Sequence, residues 1–202
     1  LFMGKCQWDM IFPCPEPSPE EKKVGDEFIA QVSTYLKANL DPESVDINQE
    51  MPKEVLKGLA QLKCFALKIP KKYGGLGFSQ YNYNRIMETI ASYCGSTATW
   101  LSAHQSIGVP TPLMLFGTEE QKQKYLPRFA QGAISAFALT EPDVGSDPAK
   151  MQTTATLTPD GTAYIINGEK LWCTNGPDAD IIIIMAKTAP KIVNGREKTQ
   201  IT

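Results

Sequence analysis

Phe137-Ala-Leu-Thr-Glu-Pro-Asp-Val-Gly-Ser-Asp147 and, after a turn-rich spacer, Ile166-Asn-Gly-Glu-Lys-Leu-Trp-Cys-Thr-Asn175 are the two halves of the stretch on which the reading of this chain depends. Phe137, Ala138 and Leu139 read as the end of a buried strand. Thr140 to Asp147 then crowds Pro142, Gly145 and several acidic and hydroxyl residues into a sharp loop. Gly145 can take a positive φ or let a ligand approach the backbone. The amides of Gly145, Ser146 and Asp147, with the Ser146 hydroxyl, offer donors to an anionic or carbonyl oxygen. In the second half, Asn167-Gly168 lies between two strand-like runs, Ala163 to Ile166 and Lys170 to Thr174, the strongest short hairpin signal in the chain. Alternation along the second run puts Trp172 and Thr174 on one face, an aromatic plate beside a hydroxyl, which suits a flat heteroaromatic ligand. Taken alone, each half also fits an ordinary surface turn or a core tryptophan.

Working outward, the apolar period changes at Ile134. Upstream it is helical: Phe28, Ile29, Val32, Tyr35 and Leu36 make Pro19 to Asn39 an amphipathic helix with acidic residues in its first turns. A second helix starts near Pro52 and buries Val55, Leu56, Leu59, Leu62 and Phe65, and Gly74-Gly-Leu-Gly77 reads as a loop between helices, since it lacks a dinucleotide-binding spacing. Ser79 caps a third helix carrying Tyr83, Ile86, Met87, Ile90 and Ala91, and a small-residue helix follows from Thr97 to about Ile107. Thr118 and Gln121 form a capping-box pattern for a polar helix ending at Tyr125-Leu126-Pro127. Downstream, Thr153 to Thr158, Ala163 to Ile166, Lys170 to Thr174 and Ile181 to Ala186 read as short strands, the Ile181 to Ile184 run as one covered on both faces. The expected fold class is therefore α+β: a Pro-rich extended arm over residues 1–19, a helical bundle domain over 20–133, and the start of an antiparallel β domain over 134–202.

Composition limits the chemistry. The 202 residues are 42% hydrophobic with a formal net charge of −2, large enough for a sizeable core and unsuited by bulk charge to nucleic acid. The five cysteines lack Cys-x-x-Cys spacing and read as free thiols of a reducing compartment, and a single histidine leaves no basis for a His-rich metal site or a His triad. No apolar run approaches the roughly 18 to 20 residues of a membrane span, and no signal-peptide pattern stands at Leu1; both ends read as cuts. Pro13, Pro15, Pro17 and Pro19 favour an extended arm whose Phe2, Trp8, Ile11 and Phe12 are expected to rest on the body or on a partner.

Together, residues 137–147 and 164–175 resemble the two signatures of the acyl-CoA dehydrogenase family of flavoenzymes. The likeness extends through Phe116-Gly-Thr-Glu-Glu-Gln-Lys-Gln-Lys-Tyr-Leu-Pro127, Ile69-Pro-Lys-Lys-Tyr-Gly-Gly-Leu-Gly-Phe78 and Ala103-His-Gln-Ser-Ile-Gly108, and is strongest toward the very-long-chain branch. It implies a helical domain and a middle β domain followed by a C-terminal helical domain that is absent here. It also implies oxidation of a fatty acyl-CoA to the trans-2-enoyl-CoA with FAD as hydride acceptor and an electron-transfer flavoprotein as electron acceptor. On the matching positions, Phe137, Leu139 and Thr140 would meet the flavin edge, Trp172 its ring, and the Thr174 hydroxyl N5. Gly145 and Ser146 would lie at the pyrophosphate and the pantetheine arm of CoA. Thr99 and Ala103 would line the acyl cavity, with Trp100 either lining or closing it. The general-base glutamate is expected beyond residue 202; Glu141 belongs to the turn motif, His104 reads as a structural hydrogen-bonding residue, and Cys173 as a core residue turned from the flavin. The family implies a homodimer or dimer of dimers, in the cytoplasm of a bacterium or in the mitochondrial matrix or at the inner membrane of a eukaryote. An acyl-CoA oxidase-like flavoenzyme and a non-catalytic flavoprotein module of the same fold are the alternatives.

Overall fold

The computed structural model describes residues 4–5, 7–10, 12–13 and 16–202. Phe2 and Ile11 of the arm, with Cys6 and Cys14, fall outside them. Within the described part, Trp8–Met10 form a short 3-10 turn, and the half-exposed Trp8 and Phe12 rings stand 6.0 Å apart.

Helix α1 (Pro19–Asn39) starts where Ser18 accepts the Glu21 amide and Pro19 presets the first turn. A short helix α2 (Pro42–Asn48), not anticipated from periodicity, follows under an Asp41 cap that accepts from Glu43 and Ser44; seven residues are too few to display a stripe. Helix α3 (Lys53–Gln61) stops short of the expected Phe65, because Lys63 turns left-handed and Cys64–Ala66 continue as a 3-10 turn. Helix α4 (Gln80–Tyr93) is capped by Ser79 as the sequence indicated. Helix α5 (Gly95–Ser102) runs into a π-helical turn, Ala103–Ile107, and α6 (Pro110–Phe116) precedes α7 (Glu119–Ala130). The Thr118–Gln121 capping box is formed in both directions, but α7 passes through Pro127 rather than ending there. An internal proline costs about 3 kcal/mol, while fully buried Leu126 and Phe129 on the same turns return about 1.5–3 kcal/mol each.

Phe28, Val32, Leu36, Leu59, Phe65, Ile86, Ile90 and Leu101 form the core of the helical part. A second core joins Ile69, Tyr73, Val109, Leu126 and Phe129 to Ile181 and Ile183, so that α7 and the 66–73 segment rest against the start of the β region.

Strand β1 (Ser135–Ala138) pairs in parallel with β4 (Ile181–Ile184), Phe137 opposite Ile183. The other sheet has the order β3-β2-β5-β6, built of β2 (Thr154–Leu157), β3 (Tyr164–Asn167), β5 (Lys187–Val193) and β6 (Arg196–Ile201). Its β2–β3 and β5–β6 ladders are antiparallel, and one parallel bridge, Thr154 to Lys187, joins them. Ile182 and Ile184 are 39% and 38% exposed, so the isoleucine run is covered on one face, not two.

Two local readings are corrected. Asn167-Gly168 does not turn a hairpin into 170–174, because β3 is already paired to β2 through the turn at Pro159-Asp-Gly161. Gly168 instead crosses over Thr153 at φ 152°, where a Cβ would lie 2.4 Å from the Thr153 hydroxyl oxygen. Residues 170–174 form no strand, and Trp172 has a left-handed φ of 54° that breaks the alternation expected to align it with Thr174.

Candidate active site

Strand β1 is flanked by β4 on one edge and by residues 170–173 on the other. The Met185 amide donates to Ala138, the Leu171 amide to the Thr140 carbonyl at 2.8 Å, and the Cys173 thiol to the Phe137 carbonyl at 3.5 Å. The two sequence halves thus lie side by side, though not in the geometry that alternation suggested. The carbonyls of Leu139 and Thr140 are both engaged, by Lys170 Nζ at 3.0 Å and by Leu171, whereas their amides and the Thr140 hydroxyl have no partner among the described residues. Beside them Trp172 is 88% exposed, an indole that no described residue covers. Cys173 is half-buried, its thiol pushed up by burial and restrained by the Phe137 carbonyl.

The loop after β1 is held from within. Glu141 and Val144 exchange amide and carbonyl bonds of 3.0 and 3.1 Å, closing a tight turn around Pro142. The Glu141 carboxylate is buried, pairs with Lys170 at 2.8 Å and accepts the amides of Gln152 and Thr153. Burial alone would raise this carboxyl, but Lys170, Thr153 and the Gln152 amide bring it down to about 2. Beyond the turn, Gly145 and Ser146 are exposed; Gly145 does not adopt a positive φ, and a Cβ there would meet open space.

Thr99, Ser102, Ala103 and Ser106 line a groove of about 580 Å³, walled by Met87 and Glu88 of α4 and reached from the β side by Thr174. Ala98, Thr99, Ser102, Ala103 and Ser106 of α5 and the π turn are small and leave this space open, and Ile107 also lines it. Trp100 faces the other way, edge-on to Phe65 at 5.4 Å, and so neither lines nor closes the groove. His104, on the inner side of the π turn, accepts the Ser135 amide at Nδ1 (3.0 Å), which leaves the proton on Nε2 to donate to the Phe65 carbonyl (2.9 Å). Burial pushes its pKa down to about 4, against the opposing effect of the Phe65 bond. It is a neutral strut between α5 and β1.

Residues 22–133 match the family described as acyl-CoA dehydrogenase, N-terminal domain, and residues 136–201 match acyl-CoA dehydrogenase, middle domain. The chain belongs to the acyl-CoA dehydrogenase family. A probable acyl-CoA dehydrogenase FadE10 of Mycobacterium tuberculosis is 50% identical over 187 residues, covering 93% of this chain and 29% of that protein. The mitochondrial very long-chain specific acyl-CoA dehydrogenase of Mus musculus is 38% identical over 205 residues, 100% of this chain and 31% of that protein. A Bacillus anthracis acyl-CoA dehydrogenase crystallised with FAD is similar at a TM-score of 0.76 and 34% identity, over 98% of this chain and 32% of its own. The chain therefore spans about three tenths of the curated relatives it matches. The α+β order of helical part and sheet is that of an acyl-CoA dehydrogenase.

In this family member the structure brings Phe137, Leu139 and Thr140 beside Trp172, and Thr174 beside Thr99 and Ala103. It does not bring Gly145 or Ser146 to the groove wall. Sequence reasoning missed the Glu141–Lys170 pair, although the acidic-basic couple stands in the two quoted motifs, and it missed Asn175. Neither has a spacing signal, since each acts across 29 residues or more. No group of three His, Cys, Asp or Glu residues is placed to hold a metal among the described residues, and no described helix is long and apolar enough to cross a membrane.

Proposed function

We propose that this chain is the helical and middle-domain part of an FAD-dependent acyl-CoA dehydrogenase that converts long-chain fatty acyl-CoA to the trans-2-enoyl-CoA in fatty acid β-oxidation. One observation carries the reading: Thr174 lines the groove formed with Thr99 and Ala103, while its neighbours Leu171 and Cys173 are bonded to Thr140 and Phe137. A ligand in the groove and one against the 137–140 strand end would thus meet at a single hydroxyl.

FAD, when bound, supplies the hydride acceptor for the acyl β-carbon. The residues fit it: the unpartnered amides of Leu139 and Thr140 and the Thr140 hydroxyl are donors for polar ring edges, and their strand is braced so that they cannot swing away. Phe137 backs that strand. Trp172 would cover the aromatic face of a bound flavin and keep water from it, and the Thr174 hydroxyl would be placed to stabilise charge developing on the ring. Gly145 gives a pyrophosphate close access to the backbone, and Ser146 offers a hydroxyl to the phosphate or to the pantetheine arm of CoA. Thr99 and Ala103 bound the acyl chain, and the small residues around them favour a long one.

The α-proton acceptor is a carboxylate outside these 202 residues. Glu141 is buried, ion-paired and held near 2, too weak a base and too enclosed to reach a substrate. Electrons leave to an electron-transfer flavoprotein, and the whole protein is a homodimer or dimer of dimers, cytoplasmic in a bacterium or mitochondrial in a eukaryote.

The test is the visible spectrum of the purified full-length protein, followed by anaerobic titration with palmitoyl-CoA and shorter thioesters. Flavin absorbance that bleaches with long chains supports the reading. A flavin that no acyl-CoA bleaches overturns the dehydrogenase and leaves a non-catalytic flavoprotein; absence of flavin overturns the residue assignments as well.

A further inference from the structure

Asn175 is 94% buried and ties two elements that the reaction would use together. Its Nδ2 donates to the Trp100 carbonyl at 2.9 Å and to the Ser135 carbonyl at 3.4 Å, spanning 75 residues in one direction and 40 in the other. The Trp100 carbonyl, which also accepts from the Ala103 amide, lies where the helix begins to change type. The Ala103 amide is shared between Thr99 and Trp100, and by Gly108 the bonding has stretched to the i→i+5 pattern of a π turn, with Gly108 donating to Ala103 at 2.9 Å. The segment with this altered bonding carries Ser102, Ala103 and Ser106, one wall of the groove. Asn175 holds a left-handed backbone at φ 66°, which asparagine tolerates better than most residues, and it directly follows Thr174. Its Oδ1 is buried without a hydrogen-bond partner among the described residues. An unpaired buried acceptor is costly, so an amide kept at such a position with one end unsatisfied is held for its donor.

We propose that Asn175 is a positioning residue that couples the π-helical wall of the acyl groove to Thr174 and Trp172. A chain filling the groove presses on the 102–106 wall, and the Trp100–Asn175 bond transmits the position of that wall to the hydroxyl and indole beside the flavin. This rests on the function proposed above.

The experiment uses full-length holoenzyme, native and with Asn175→Gly, which keeps the left-handed backbone and removes the side chain. Asn175→Asp is the second variant; it keeps the shape but can donate only when its carboxyl is protonated. Bound flavin is counted by absorbance, and the anaerobic bleaching rate at saturating palmitoyl-CoA and butyryl-CoA is measured per bound flavin. The expected result is that Asn175→Gly retains flavin but bleaches at least tenfold more slowly with palmitoyl-CoA, with a smaller loss for butyryl-CoA, which does not fill the groove. Asn175→Asp recovers rate relative to native as pH falls. A native protein that never bleaches overturns the function, independently of Asn175. Native rates per flavin in both variants, with only a lower thermal midpoint, overturn the proposal, and so does loss of flavin from both, which would make Asn175 a requirement of the fold.

Discussion

Lys170 Nζ lies 2.8 Å from Glu141 Oε1 and 3.0 Å from the Leu139 carbonyl oxygen, so one buried ammonium joins the second sequence signature to the backbone of the first. Removing one partner of such a pair strands the other's charge. Lys170→Met is expected to lower the unfolding midpoint more than Lys170→Met combined with Glu141→Gln, measured by urea denaturation near neutral pH. The carboxyl is depressed in the fold, so its contribution is present above the unfolded value of about 4.3 and is lost as pH falls toward 2. That acid limb should be missing from the double variant.

His104 titrates in the opposite chemical sense but gives the same pH slope. Its folded pKa of about 4 lies below the ordinary 6.5, so the native state binds fewer protons than the unfolded chain between those values. Stability is full above pH 6.5 and declines as pH falls through 4, by about 3 kcal/mol at the limit. His104→Gln, which cannot charge, should flatten the curve of unfolding free energy against pH over that window.

Gly168→Ala meets both a φ of 152° and the backbone of Thr153, whose Cα would stand 2.6 Å from the new Cβ. A loss of at least about 2 kcal/mol is expected in chemical denaturation, since neither the left-handed backbone nor a neighbouring main chain yields cheaply.

Trp172→Ala separates ligand contact from fold. An indole 88% exposed contributes little to packing, so stability should change by no more than about 0.5 kcal/mol. Flavin retention through gel filtration of the full-length variant should drop clearly.

Ala103→Leu fills the groove without touching the core. The KM for palmitoyl-CoA is expected to rise roughly tenfold or more, the 1.4 kcal/mol scale of one lost apolar contact, with butyryl-CoA little changed. Steady-state assays with an artificial electron acceptor would read both.

Much of the helical part is legible in the residues because its signals are local. The acidic first turn of α1, Ser79, and the Thr118–Gln121 box act within three residues of the termini they mark, and the Phe28, Val32, Leu36 stripe states which face is buried. Pro127 misled because its local cost is outweighed by Leu126 and Phe129 in a core assembled from distant segments. The isoleucine run misled because β-branched composition marks a strand without saying how many of its faces are covered.

The candidate site divides in the same way. The sequence alone determined the α+β order, the residues of the two signatures and the family they resemble, because motif identity is a property of neighbours along the chain. Tertiary structure alone decided how those signatures meet. Alternation placed Trp172 and Thr174 on one strand face, yet β2 had taken the pairing edge of β3, and the 168–175 segment was left to cross Thr153 and bond to β1 instead. The Glu141–Lys170 pair, the Asn175–Trp100 bond and the groove shared by Thr99, Ala103 and Thr174 join residues 29 to 75 positions apart. Such contacts arise only once both cores have closed and the segments are brought into register, and no period or spacing along the chain encodes them.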